Sequence, residues 1–543
     1  MTTRILLSIL LGGVVMQSSP ASLPDAVRTA ADGITAANLK RDLEFLSSDE
    51  LKGRNTPSPG FDTAAEFIAA RLKKADFEPA GDGGTFFQHY TMREAEVDTR
   101  AASIEIDGRR FAFGDDFVMR AFPRPVSGTF PVVYVGHGWT VPDKRIDPFA
   151  GVDIKGKIVL AHGPRALPKG VDIPMIGRVN VGATTIFAEA ERRGAAAIVF
   201  IAQASALTNW AQARNQNTIQ RELVPIVPSA YAAVPITTVM VTPTVADALM
   251  ANERVTGAAL VAGAETQDYP ASFQLNKSIS ISLPAKTTTD HHPYNVVAML
   301  KGSDSALRDE YIVIESHLDG AVGSRALDGD SIYNAADDNA SGSVGNLAVA
   351  EALAAGPRPK RSMIFLWDSG EERGLWGTRF FVSRPPVPLD RIVVELNVDM
   401  IGANRAPGSP DANAEEATGP NEVYVTGPGV LSSGTEALLD AVNRSYLNMR
   451  INRDRDRADR ESFYPRTDAG PFLERGILAI GWTTGTHARY HLPTDEARYL
   501  DPGKMESIAR TIYAFAWTLA DAADRPKIDK PMPAIVPDYR GRI

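Results

Sequence analysis

The run Tyr311-Ile312-Val313-Ile314-Glu315-Ser316-His317 decides the architecture of this chain: an apolar strand that delivers a histidine into the polar loop His317-Leu318-Asp319. Strands with nearly continuous apolar character are covered on both faces, as in α/β proteins where helices flank the sheet. Strand and helix alternate from there to the end of the second half. A helical pattern runs from about Asn339 to Ala354, followed by strand Ser362 to Trp367, a short helix after Gly374, and strand Arg391 to Met400. Strand Glu422 to Thr426, helix Gly434 to Leu447, strand Ile477 to Trp482 and helix Pro502 to Ala522 follow, with strand signals at Ile279 to Leu283 and Tyr294 to Leu300 opening the series. The expectation is an α/β fold with a mixed, mostly parallel central sheet and helices on both faces. Ligands of such sheets collect beyond the carboxyl ends of the strands.

Upstream, helical spacing from Thr35 to Leu72 is broken by Thr56-Pro57-Ser58-Pro59-Gly60, which predicts an opening pair of helices. Composition shifts near Phe122-Pro123-Arg124-Pro125, and short Val-rich strands occupy Pro131 to Val135, Lys157 to Ala161, Ala195 to Ile201 and Ile236 to Val241. At 543 residues the chain exceeds one ordinary core. The predicted division is a signal peptide over 1–21, an N-terminal part of the main domain over 22–125, a small β-rich inserted domain over 126–262, the main domain over 263–525, and a strap-like tail over 526–543. The leader rests on Arg4, the apolar run Ile5 to Met16 and Ser19-Pro20-Ala21. That run is shorter than the ~20 residues needed to cross a bilayer. The expectation is therefore an exported, secreted or periplasmic chain with no membrane partner after cleavage.

Lys and Arg total 57 against 66 Asp and Glu, a formal charge of -9, and no long basic run is present to neutralise phosphates. Nucleic acid is not an expected partner. Cysteine is absent, which removes disulfides, thiolate metal sites and a cysteine nucleophile. A metal here must use imidazole and oxygen ligands.

Several acids and histidines stand near strand ends. His317 and Asp319 are two apart, so Asp319 could accept a hydrogen bond from the far ring nitrogen of His317 and fix its tautomer. Asp337 and Asp338, in Asn334-Ala335-Ala336-Asp337-Asp338-Asn339-Ala340-Ser341-Gly342, repel one another unless a cation or a helix dipole offsets them. Asp338 or Asn339 could equally cap the helix that follows, with Asp337 on metal. Glu371-Glu372 precede Gly374-Leu375-Trp376-Gly377, Asp399 interrupts an apolar strand, and His491 lies in Tyr490-His491-Leu492-Pro493-Thr494-Asp495. Each alone could be polar surface or a strand terminus. Two polar loops, Gly402 to Asn421 and Asn452 to Glu461, read as functional rims or solvated surface.

Taken in order, these motifs resemble the co-catalytic di-zinc exopeptidase family that includes bacterial leucyl aminopeptidases and glutamate carboxypeptidase. The resemblance implies the zinc exopeptidase fold and two Zn2+ per chain, with Mn2+ or Co2+ as substitutes. It implies Asp337 as the bridging carboxylate, His317 and Asp399 on one zinc, Glu372 and His491 on the other, Glu371 as general base and Asp319 as the orienting acid. It also points to a peptide bond, Asp337-Asp338, that is often cis in relatives. The interval 126–262, through Phe149 to Leu160 and Ala188 to Ala197, resembles a protease-associated domain, whose His137 and His162 are then structural. One departure is Arg466-Thr467-Asp468-Ala469-Gly470-Pro471-Phe472, where relatives commonly carry a histidine after the aspartate.

The implied activity is an aminopeptidase acting on peptide substrates. Its rivals are a carboxypeptidase of the same family, a glutaminyl-cyclase-like single-zinc acyltransferase and a non-catalytic receptor-like binding protein. A serine hydrolase is disfavoured because no Gly-x-Ser-x-Gly elbow occurs. No arginine is assignable from sequence to a terminal carboxylate. Tyr490, His487, Trp482 and Phe472 are pocket candidates with ordinary core or rim alternatives.

Overall fold

The computed structural model describes residues 23–120, 126–163, 166–171, 183–224, 236–282, 284–320, 323, 326–405, 417–458 and 466–533. The leader expected over 1–21 and the break at Phe122 to Pro125 lie outside the described residues, as do parts of the two polar loops and of the tail.

A nine-stranded mixed sheet forms the centre of the main domain. Its strands are β1 (Glu78–Pro79), β2 (Phe87–His89), β3 (Tyr294–Leu300), β4 (Tyr311–His317), β5 (Ser362–Asp368), β6 (Ile392–Val398), β7 (Glu422–Thr426), β8 (Arg450–Asn452) and β9 (Leu478–Thr483). They run in the order β1-β3-β5-β4-β6-β9-β7-β8, with β2 also paired to β3. The four middle strands β5, β4, β6 and β9 are parallel, while β3 and β7 join antiparallel. The α/β class read from alternation therefore holds, including its parallel centre. Strands β5 and β6 are buried at every residue, which is why they are almost continuously apolar.

Helices α1 (Asp25–Asp32), α2 (Ala36–Leu46), α3 (Pro59–Lys74), α4 (Gly342–Ala355), α5 (Trp376–Ser383), α6 (Ser433–Ser445), α7 (Ala469–Glu474) and α8 (Pro502–Asp521) cover the sheet. The Ser58 hydroxyl accepts the Phe61 N–H and Pro59 occupies the first turn of α3. Asp501 caps α8 in the same way, accepting from the N–H groups of Gly503 and Lys504. Helix α8 turns Met505, Ile508, Ala509 and Ile512 inward at helical spacing, against α4 and the first two helices. At the start of α4, a Cβ on Gly342 would stand 2.2 Å from the Val398 carbonyl oxygen. No larger residue fits between α4 and the end of β6.

A second sheet of eight strands lies between β2 and β3 in sequence. It holds the four strands expected within 126–262, but it also takes in Ser103–Ile106, Arg109–Ala112, Phe117–Arg120 and Phe273–Ser282. The second sheet therefore takes in strands on both sides of 126–262. The strand signal at Ile279 belongs to it rather than to the main sheet, because its long hydrogen-bonded partner is Gly128–Tyr134. A three-stranded antiparallel ribbon of Thr91–Val97, Ile219–Val224 and Ala285–His291 accompanies the two sheets. Buried His162 hydrogen-bonds Tyr134 within the second sheet, and burial pushes both His137 and His162 down to about 4.

Candidate metal centre

Each strand of the parallel centre ends in the same region. His317 is the last residue of β4, Asp399 follows β6, Glu371 and Glu372 form a short 3-10 turn after β5, and the turn Ala336–Ser341 leads into α4. His491 arrives on the loop after β9 with a left-handed φ of 57° and stacks on Tyr490, ring centroids 3.8 Å apart. Five segments that are distant in sequence thus meet beyond the carboxyl ends of the parallel strands.

Two groups of ligand atoms form there. His317, Asp338 and Asp399 make the first and Asp338, Glu372 and His491 the second, each within 4.8 Å. The His317 Nε2 atom stands 3.2 Å from Asp338 Oδ1 and 3.4 Å from Asp399 Oδ1. The His491 Nε2 atom stands 2.9 Å from Asp338 Oδ2 and 3.3 Å from Glu372 Oε2. The two oxygens of one carboxylate face the two groups. That carboxylate is Asp338, whereas the resemblance pointed to Asp337.

Asp337 is turned the other way by its hydrogen bonds. Its Oδ1 accepts from Ser341 Oγ at 2.9 Å and from the Gly402 N–H at 2.8 Å, and its Oδ2 lies 3.3 Å from His487 Nε2. Asn339 Oδ1 accepts from the Gly342 and Met400 N–H groups. These bonds tie the turn to the segment after β6 and so bring Asp338 beside Asp399. From the other side, Asp495 accepts the N–H groups of Asp337 and Asp338 at 3.0 and 3.2 Å. The cis peptide bond of this turn is Asp338-Asn339, one residue beyond the bond indicated by the resemblance.

The His317 tautomer is set, though by a different atom from the one expected. Its Nδ1 lies 3.0 Å from the backbone carbonyl of Asp319, which can only accept, so in the neutral ring Nδ1 carries the proton and Nε2 keeps the lone pair. The Asp319 carboxylate instead accepts the N–H groups of Gly370 and Glu371 at 2.8 and 3.3 Å. It thereby holds the turn that presents Glu371 and Glu372.

The donor set fits a pair of metal ions. His317 Nε2, Asp399 Oδ1 and Glu372 Oε1 are buried without a hydrogen-bond partner. Burial opposes a charge on His491, yet Asp338 and Glu372 outweigh it and push the ring up to about 10. Burial likewise opposes charge on His317, and Asp338 and Asp399 hold it well above the usual histidine range. Both rings therefore face a field that favours a cation at the carboxylates. Nitrogen and oxygen donors of this kind suit zinc, manganese or cobalt.

Arg54 carries a supporting role that sequence reasoning missed. Fully buried, its guanidinium donates to the carbonyls of Leu46, Leu318, Asn334 and Ala335, clamping α2 to both loops that carry ligands. Its only signal in the sequence was an arginine beside a turn. Tyr490 and Trp482 line the pocket next to Glu371 and Asp399, together with Arg466. His487 belongs instead with Asp337, and Phe472 is fully buried in the core.

A profile described as Peptidase family M28 matches residues 295–516, from β3 into α8, the stretch that carries all these groups. Residues 295–516 therefore resemble the domain of that family. Leucine aminopeptidase 2 of Trichophyton rubrum is 27% identical over 276 residues, 46% of this chain and 49% of that protein. A probable leucine aminopeptidase of Arthroderma otae is 27% identical over 228 residues, 39% of this chain and 55% of that protein. The chain thus spans about half the length of the curated relatives it matches. Among solved structures, an aminopeptidase from Aneurinibacillus sp. strain AM-1 aligns with a TM-score of 0.52 at 16% identity, over 95% of this chain and 99% of that one. The chain shares that overall fold. Among the described residues, no helix is long and apolar enough to cross a membrane.

Proposed function

We propose that the chain is an exported, zinc-dependent aminopeptidase that removes N-terminal residues from peptides. The observation that carries this reading is the single carboxylate of Asp338 between two His-and-carboxylate groups, with His317 and Asp399 on one side and Glu372 and His491 on the other. Two metal ions bound by these side chains would supply an activated water and polarise the scissile carbonyl. Glu371 is the general base: it lies on the pocket wall beside Asp338 and Asp399, takes the proton of the attacking water and passes it to the departing amine. Burial and the neighbouring acids hold its carboxyl well above the usual range in the metal-free site. The acids of the pocket attract a positively charged α-amine, which favours a free N-terminus.

In this reading the partners are peptide substrates, with no nucleic acid and no membrane, and the inserted unit is a protease-associated domain beside the catalytic domain. A second reading, a carboxypeptidase, draws on Arg466, a cation in the same pocket. Peptides with free, N-acetylated and C-amidated ends, assayed with and without a chelator, separate the two. Cleavage of free-amine and C-amidated peptides, lost with chelator and with acetylation, is expected. Cleavage confined to N-blocked peptides, or dependent on a free C-terminus, overturns the aminopeptidase reading.

A further inference from the structure

A second group of acids lies on the same face of the sheet, below the candidate metal centre. Glu315 on β4, Asp368 at the end of β5, Glu395 on β6 and Asp468 before α7 are 0%, 0%, 0% and 1% exposed. Strand register explains the convergence. His317 pairs with Asp368 and Glu315 with Asn397, so residues two apart on each strand put Glu315, Asp368 and Glu395 on one face. Carboxylate oxygens of Glu315, Asp368 and Asp468 lie within 4.8 Å of one another.

Donors for this group are few. Asn397 Nδ2 donates to Glu315 Oε2 at 2.7 Å and the Thr378 hydroxyl to Asp468 Oδ1. The other oxygens, Glu315 Oε1, both of Asp368, both of Glu395 and Asp468 Oδ2, are buried without a hydrogen-bond partner. Asp368 is the independent sign: a fully buried carboxylate inside this group with neither oxygen partnered by a donor, while Glu395, likewise buried and unpartnered, lies beside the group on the same strand face. Among the described residues, no lysine or arginine is hydrogen-bonded to any of the four. A buried carboxylate without a partner costs several kcal/mol, and adjacent ones repel each other in addition.

We propose that Glu315, Asp368 and Asp468 hold a buried structural cation of the hard, oxygen-preferring class, calcium or manganese, separate from the two-metal centre. The donor set is all oxygen, which selects this class over a zinc-type site. Such an ion cross-links the ends of β4 and β5 to the segment before α7. Its ligands lie two residues from His317 and three from Glu371, and so fix the strand ends that aim them.

The test needs no turnover measurement, so its failure is distinct from failure of the aminopeptidase reading. Crystals of the full chain grown with Mn2+ are expected to show an anomalous peak among the three carboxylates, apart from any peak near Asp338. No peak there overturns the proposal. Metal counting on dialysed Asp468→Asn protein is expected to give one ion fewer per chain than wild type. An equal count, with the cluster neutralised by protons alone, also overturns it. Should Asp468→Asn fail to fold, the wild-type crystal decides.

Discussion

Asp337 and Asp338 carry the same side chain one residue apart and do opposite work. Asp338 faces His317 and His491, while Asp337 is committed to Ser341, Gly402 and His487. Asp338→Asn should therefore strip both metal positions, with metal content per chain measured after dialysis. Asp337→Asn should retain the metal and lower the melting temperature, with a loss on the order of 1–3 kcal/mol for a buried acceptor turned partly donor. Metal lost from the Asp337 variant but kept by the Asp338 variant would reverse the assignment. Glu371→Gln should bind metal normally and lose turnover by about 10²–10⁴-fold. The pair was legible as an anionic turn, but not which acid faces inward. Side chains alternate predictably along a strand, whereas the direction here is set by Gly402 and by Asp495, about 160 residues away.

At the level of elements, the strand ends that supply ligands were the most legible part of the chain. Tyr311 to His317 and Glu422 to Thr426 have the bounds their apolar runs suggest, because buried parallel strands must be apolar throughout. Less legible was what docks on them. Arg54 sits in a turn-rich stretch where an arginine ordinarily meets water, and only the fold reveals four carbonyls around it. Arg54→Met should cost on the order of 3 kcal/mol, since it leaves several buried carbonyls unpaired. Calorimetry would read the loss, and metal affinity should weaken with it as the His317 and Asp338 loops separate. A variant with unchanged melting temperature and metal affinity would show that the clamp is dispensable.

At the level of the whole molecule, the insertion makes its own prediction about acid. His137 and His162 are held near 4 by burial, below the ordinary value of about 6.5. Between those values the unfolded chain binds more protons than the folded one, so stability rises with pH. It should be complete above about pH 6.5 and should decline as pH falls toward 4. Thermal melts across that window should show the decline, and His162→Gln should flatten it. A variant with the same slope as wild type would place the acid sensitivity elsewhere. The extent of this unit was poorly legible, because Phe273–Ser282 reads like any half-buried strand and only its pairing with Gly128–Tyr134 assigns it.

The first two helices pack against the last one. The Ala36 N–H donates to Glu506 at 2.5 Å and Arg510 donates to the Ile34 carbonyl at 2.9 Å, contacts that span 470 and 476 residues. During synthesis, then, the earliest helices emerge with no surface to bury against, and the whole insertion is made before that surface exists. Closure of the main core waits on α8, which leaves the nascent chain without a finished catalytic layer until that helix has been made.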